Sequence, residues 1–269
     1  MKKLSNLFLS ALVAFAVFSC NTPQQKQSGD NHEEHAKTEK KHVHWSHASG
    51  EEGPENWKNL CDDFLPCGGS AQSPINIITD SLISAEDLLP LSLKYGTTSV
   101  DIINNGHTVQ FNTTGDNSIN VEGKEYKLLQ FHYHALSEHT VNGDHYPLEV
   151  HFVHKHSDSD LLVMGILFKE GESNPLFAKY LENFPKEKGT FTAEDQIELM
   201  EVIPSNLSYY HYNGSLTTPP CSEIVTWYVL QTPLEASKEQ IDTFSSILNN
   251  NYRPTMPLNG RTIAGYSAE

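Results

Sequence analysis

From about residue 42 onward the chain is written in short apolar or alternating runs broken by Gly, Asn and Pro. The runs "SVDIINNGHTVQFNT", "YKLLQFHYH", "LEVHFVHK", "LLVMGILF" and "IVTWYVLQ" are each strand-length. Their β-branched and aromatic residues suit a pleated, half-buried surface. Helical signals are few. One covers 175–184, with Asn174 as N-cap and Pro175 in the first turn; the other covers 238–248, where Ser237 and Gln240 form a capping box. The pattern predicts a single, mainly β domain (α+β) over 42–269, a large sheet with small peripheral helices.

The start of the chain breaks this pattern. "MKKLSNLFLSALVAFAVFSC" places Lys2 and Lys3 before an uncharged apolar run from Leu7 to Phe18, too short to span a bilayer comfortably, so 1–19 reads as an export signal. Cys20 follows a small residue at its end and resembles a bacterial lipoprotein processing site, although Phe18 is unusual two places before the cysteine. Lipidation of Cys20 is therefore expected. Residues 21–41, "NTPQQKQSGDNHEEHAKTEKK", hold no aliphatic side chain larger than Ala36 and cannot build a core, so 20–41 reads as a lipidated, flexible tether. The expected location is periplasmic or cell-surface, at a membrane through the lipid alone.

Charge narrows the partners. The chain carries a formal −16, and loss of the leader removes two lysines and no acids, moving it to −18. Such a chain is a poor partner for nucleic acid or an anionic membrane face. With Cys20 set aside, an exported protein keeps Cys61, Cys67 and Cys221, enough for one disulfide with one cysteine left over.

Candidate chemistry sits in "QFHYHALSEHTV", residues 130–141. In a strand, Gln130, His132 and His134 share one face while Phe131 and Tyr133 share the other. In "PLEVHFVHK", Glu149, His151 and Val153 share a face, and Val150, Phe152 and His154 share the opposite one. If the two strands are neighbours, with Asn142 and Gly143 in the intervening turn, His132, His134 and His151 meet. Three neutral imidazoles with one open position form the ligand set of a catalytic zinc. Gln130 and Glu149 precede ligands by two residues and are placed to hold their second ring nitrogens. The competing "HKH" at His154 and His156 runs into "SDSD" and reads as a solvated strand end, and the tail histidines His32, His35, His42, His44 and His47 as tether polarity. "HYHALSE" also fits the H-x-H-x3-E core of a cupin metal motif, but no downstream segment completes it.

The segments "HWSHASGEEGPENW", "QSPINI", "NNGHTVQF", "QFHYHALSEHT", "LEVHFVH", "VMGILF", "NGSLTTPPCSE", "VTWYVL" and "RPTMPLNGR" occur in the order seen in α-class carbonic anhydrases. From about His44 to Gly265 the chain resembles that family, its bacterial exported members in particular. The resemblance implies a large, mostly antiparallel twisted sheet with Zn2+ at the bottom of a conical cleft. It implies reversible hydration of carbon dioxide to bicarbonate and a proton, by attack of zinc-bound hydroxide on CO2 held in an apolar pocket.

By that resemblance His132, His134 and His151 are the zinc ligands, and Gln130, His139 and Glu149 their outer partners. Thr217 accepts a hydrogen bond from the hydroxide and donates to Glu138. Val153, Val163, Leu216, Val225 and Trp227 form the CO2 wall, with Thr218 beside it, and His107 is the proton shuttle. Cys67 and Cys221 match the paired cysteines of exported members, and a homodimer is left open. Two departures stand out: His47 replaces a tyrosine that lines the proton-transfer water, and Ala135 stands where vertebrate forms have tryptophan. The rival readings are a metal-free binding module and zinc storage by the tail. The first typically lacks one of the three ligands, and deletion of 21–43 would separate the second from the core site.

Overall fold

The computed structural model describes residues 19–20, 41–84 and 87–268. The expected leader and tether, and the Cys20 side chain, fall outside that part apart from the backbone of 19–20 and 41. Among the described residues a twelve-stranded sheet organises the chain. Its central strands are β1 (Val100–Asn104), β2 (Val109–Thr113), β3 (Lys124–His134), β4 (Leu148–Ser157), β5 (Asp160–Glu170), β6 (Tyr209–Gly214) and β7 (Val225–Ala236). Their spatial order is β1-β2-β3-β4-β5-β7-β6. Neighbours are antiparallel except β5 and β7, which run parallel, so the sheet is mixed.

The alternation read from the sequence divides the sheet's two faces. Phe131 and Tyr133 join Phe111 and Phe152 in the main core, where the Phe111–Phe131 and Phe131–Phe152 rings lie 4.6 and 4.9 Å apart. Burying each such ring contributes about 2–3 kcal/mol. Helix α1 (Pro175–Tyr180) is capped by the Asn174 side chain and ends in a 3-10 turn at Leu181–Asn183, shorter than the expected 175–184. Helix α2 (Lys238–Leu248) has the expected bounds and a complete Ser237/Gln240 capping box. Both helices cover the core face: Phe244 of α2 packs against Phe177 of α1 at 4.4 Å and against Tyr133 at 5.0 Å.

Three details differ from expectation, the first being that Cys61, expected to be left over, is not a free thiol. His154, taken as solvated, is fully buried and hydrogen-bonded to the Tyr95 hydroxyl, because it shares the core face with Phe152; His156 alone is exposed. Asn142 and Gly143 do form a turn, but it closes a short hairpin, Thr140–Val141 against Asp144–His145, outside the main sheet. Cys67 and Cys221 are bonded across 154 residues, buried with Trp57 and Phe64.

Candidate metal centre

Strands β3 and β4 are adjacent and antiparallel, in a register that sets His132 opposite His151 and His134 opposite Glu149. An irregularity between Leu128 and Gln130 precedes this stretch, after which Gln130 faces Val153. The three histidines converge: one ring nitrogen from each lies within 4.8 Å of the others.

Hydrogen bonding dictates which nitrogens these are. His132 Nδ1 donates to Gln130 Oε1 (3.0 Å), His134 Nδ1 to the Asn251 carbonyl (2.7 Å) and His151 Nε2 to Glu149 Oε1 (2.9 Å). Each acceptor fixes the tautomer, so the remaining nitrogens, Nε2, Nε2 and Nδ1, present lone pairs inward. Burial lowers all three pKa values, His134 to about 4, and keeps the rings neutral. His134 Nε2 is buried without a hydrogen bond among the described residues. Neutral, oriented, converging imidazoles fit a divalent zinc ion.

Glu149 anchors the outer layer. Its Oε2 accepts the backbone N–H groups of Glu138 (2.8 Å) and His139 (2.9 Å), and Oε1 also accepts from His139 Nδ1 (2.7 Å). His139 thus orients Glu149 rather than a ligand directly, and its other nitrogen lies 2.7 Å from the Tyr212 hydroxyl. Burial alone would raise the Glu149 carboxyl, but His139 and His151 outweigh it and hold it well below the usual range. Gly165, paired with His151 on β5, leaves the necessary room: a Cβ there would stand 2.9 Å from Glu149 Oε1.

Glu138 is fully buried, and burial pushes its carboxyl up to about 7 against the pull of His151, the Thr217 hydroxyl and the Arg253 amide. Arg253 N donates to Oε1 at 2.8 Å, while Oε2 approaches His134 Nε2 at 3.5 Å and holds no hydrogen bond among the described residues. The Arg253 guanidinium, buried beside Trp57, donates to Gln72 Oε1 and the Ser73 and Cys67 carbonyls. It ties the Glu138 segment to the disulfide region.

A second apolar cluster adjoins the triad. Val153 pairs with Val163, Val163 with Trp227, and Trp227 with Tyr212. With Val225 and the partly buried Leu216 they form one cluster distinct from the main core. The Trp227 ring is 4.8 Å from that of His151, and its Nε1 donates to the Ser215 carbonyl. Thr217 is buried; Thr218 is half-buried and its carbonyl accepts from Cys221 N at 2.9 Å.

A cleft of about 380 Å³ opens nearby, lined in part by Trp45, His47, His107, Lys188 and Asn251. His107 follows the 104–106 turn, where the Asn105 side chain accepts from its N–H at 2.8 Å, and its ring stacks on Trp45 at 3.9 Å. Sequence reasoning missed Asn251, Arg253 and Tyr212. Asn251 not only accepts from His134 but donates its amide to the His107 and Tyr133 carbonyls. "RPTMPLNGR" contains Arg253, yet nothing local in that string points to Glu138, 115 residues away.

The family model of eukaryotic-type carbonic anhydrase matches residues 52–267. The carbonic anhydrase of Pectobacterium atrosepticum is 43% identical over 226 residues, covering 82% of this chain and 90% of that protein. The solved α-carbonic anhydrase of Thermovibrio ammonificans, in complex with the inhibitor sulfanilamide, is 42% identical with a TM-score of 0.79, covering 82% of this chain and 99% of that one. Dioscorin DB3L of Dioscorea polystachya is 34% identical, covering 97% of this chain and 95% of that protein.

Proposed function

The chain belongs to the eukaryotic-type carbonic anhydrase family, and from that premise we propose that His132, His134 and His151 hold one zinc ion in a site that reversibly hydrates carbon dioxide to bicarbonate and a proton. The observation that carries the reading is the convergence of three neutral ring nitrogens whose opposite nitrogens are all engaged. Zinc, when bound, supplies the Lewis acidity that makes water a nucleophile near neutral pH.

The protein supplies the rest. Val153, Val163, Leu216, Val225 and Trp227 offer an apolar surface beside His151, suited to a neutral substrate that recruits few hydrogen bonds. Glu138, buried near the Thr217 hydroxyl, is placed to accept a hydrogen bond from it, so that the Thr217 oxygen can accept from, and thereby orient, the attacking hydroxyl. Thr218 borders the substrate on the same loop. His107, on the wall of the cleft, takes the released proton to buffer; an imidazole suits the task because its ordinary pKa lies near neutrality.

The leader and Cys20 support a wider proposal: export, lipidation and tethering of the domain by 20–41 on the periplasmic or outer side of a membrane. The substrate is a small molecule, and the acidic chain is a poor fit to nucleic acid. Stopped-flow CO2 hydration by the purified protein, before and after chelation and zinc re-addition, tests the activity. Activity that ignores the chelator, or never appears with stoichiometric zinc, would remove the reading.

A further inference from the structure

The sequence holds four Asn-Gly dipeptides, at 105–106, 142–143, 213–214 and 259–260. In such a pair the glycine amide nitrogen can attack the Asn side-chain carbonyl carbon, because glycine has no Cβ to obstruct the approach and its backbone turns freely. Three of the four are held against this. Gly106 N donates to Asn104 Oδ1 and Gly143 N to Asn76 Oδ1, each at 2.9 Å. Gly214 is buried at the end of β6, opposite Val225 of β7, where a Cβ would collide with Ser73 Oγ.

Asn259–Gly260 differs on each count. Both residues are exposed and both have positive φ, 51° and 82°. They are the central pair of a tight turn closed by Arg261 N, which donates to the Leu258 carbonyl at 3.0 Å, a conformation that Asn-Gly suits. The Gly260 N–H makes no hydrogen bond among the described residues, and a Cβ there would meet nothing within 4 Å. Among the described residues the Asn259 side chain makes one hydrogen bond, Nδ2 donating to the Ser70 carbonyl at 2.9 Å. Its carbonyl carbon is open to attack.

We infer that Asn259 is a site of spontaneous covalent modification, deamidation through its own backbone. Deprotonated Gly260 N attacks Asn259 Cγ and the side-chain nitrogen leaves as ammonia, closing a succinimide ring. Water then opens the ring at either carbonyl, giving aspartate or isoaspartate at 259. One water enters, one ammonia departs, and nothing is oxidised or reduced. The product alters the fold locally. A carboxylate cannot donate, so the bond to the Ser70 carbonyl is lost. That bond latches the 258–261 turn to a segment in which Ala71 N and Gln72 Nε2 donate to Glu223 Oε1, and Gln72 Nε2 also to the Cys221 carbonyl.

Peptide mapping by mass spectrometry of the full-length protein, incubated at mildly alkaline pH, tests this. The mass gain of NH2 replaced by OH, split between aspartate and isoaspartate peptides, should accumulate at Asn259 roughly three- to tenfold faster than at Asn105 or Asn142, the cost of freeing one amide hydrogen bond. Buried Gly214 should make Asn213 slower still. In concentrated urea, where the turns are gone, the four rates should converge. Faster modification at any of the other three in the folded protein, absence of isoaspartate at 259, or the same spread of rates in urea would overturn the inference. Asn259→Gln, whose longer arm disfavours ring closure, should stay unmodified at 259 while the other three sites keep their rates. Asn259→Asp carries the charge without the chemistry, and exchange of its Ala71 amide hydrogen should rise roughly three- to tenfold, again the worth of one hydrogen bond. Parental exchange at Ala71 in that variant would overturn the latch.

Discussion

His132 on β3 and His151 on β4 face each other directly across the antiparallel register, their rings 5.3 Å apart. A shift of one residue would turn the two histidines to opposite faces and dismantle the triad. The site is thus a property of the sheet, and the residues that refine it arrive from elsewhere in the chain.

On the proposed reading, Thr217 and Glu138 orient the attacking group and do not touch the metal. Thr217→Ala and Glu138→Gln should therefore keep one zinc per chain and lose about 10²–10³-fold in hydration rate. Metal analysis run beside stopped-flow assays checks both halves. An unchanged rate in Thr217→Ala would take that residue out of the mechanism.

His107 is held by the Asn105 turn and by Trp45, at the cleft wall. His107→Ala should slow steady-state hydration about tenfold or more in dilute buffer, with recovery in concentrated imidazole-type buffer. Zinc content should not change. Equal rates at low and high buffer in this variant, matching the parent, would exclude the shuttle role.

The Cys67–Cys221 bond closes a 154-residue separation beside the loop that carries Thr217. The chain-entropy relation gives about 5 kcal/mol as an upper figure for such a loop. A Cys67→Ala/Cys221→Ala protein should unfold at distinctly lower denaturant, and its zinc should exchange faster because the Glu138–Arg253–Cys67 connection loosens. Coincident denaturation curves would show that the bond is dispensable.

Much of the candidate site was legible because a strand's period of two places Gln130, His132 and His134 on one face without any knowledge of the fold. The α2 bounds were equally local, resting on the Ser237/Gln240 box. Asn251 and Tyr212 reach the site from 117 and 73 residues away, by a main-chain carbonyl and by a hydroxyl, and neither leaves a periodic trace. His154 was misread for a related cause: its alternation with Phe152 signalled the core face, but the charged "SDSD" that follows argued for solvent, and only the Tyr95 contact settles which wins.

That buried pair makes a pH prediction. The Leu162 carbonyl can only accept, so His154 Nδ1 carries the proton and Nε2 accepts from the Tyr95 hydroxyl. Burial lowers the His154 pKa to about 4, against about 6.5 in an unfolded chain. Between those values the unfolded chain binds a proton that the folded one refuses. The stability this residue contributes is complete above pH 6.5 and drains as pH falls to 4, by up to about 3 kcal/mol. His154→Gln keeps both hydrogen bonds without the titration, so urea unfolding of zinc-stripped parent and variant should converge by that amount between pH 7 and 4. Parallel pH curves would refute the assignment.

The zinc content of a tail-deleted domain, 44–269, tests the central claim most directly, since it removes the tail histidines before His44 as competing ligands. After exhaustive dialysis the parent domain should retain one zinc per chain and full hydration activity, while His134→Ala and His151→Ala domains of intact fold should retain none and lose hydration in step. One tightly held zinc with full activity in the His134→Ala domain would contradict the account.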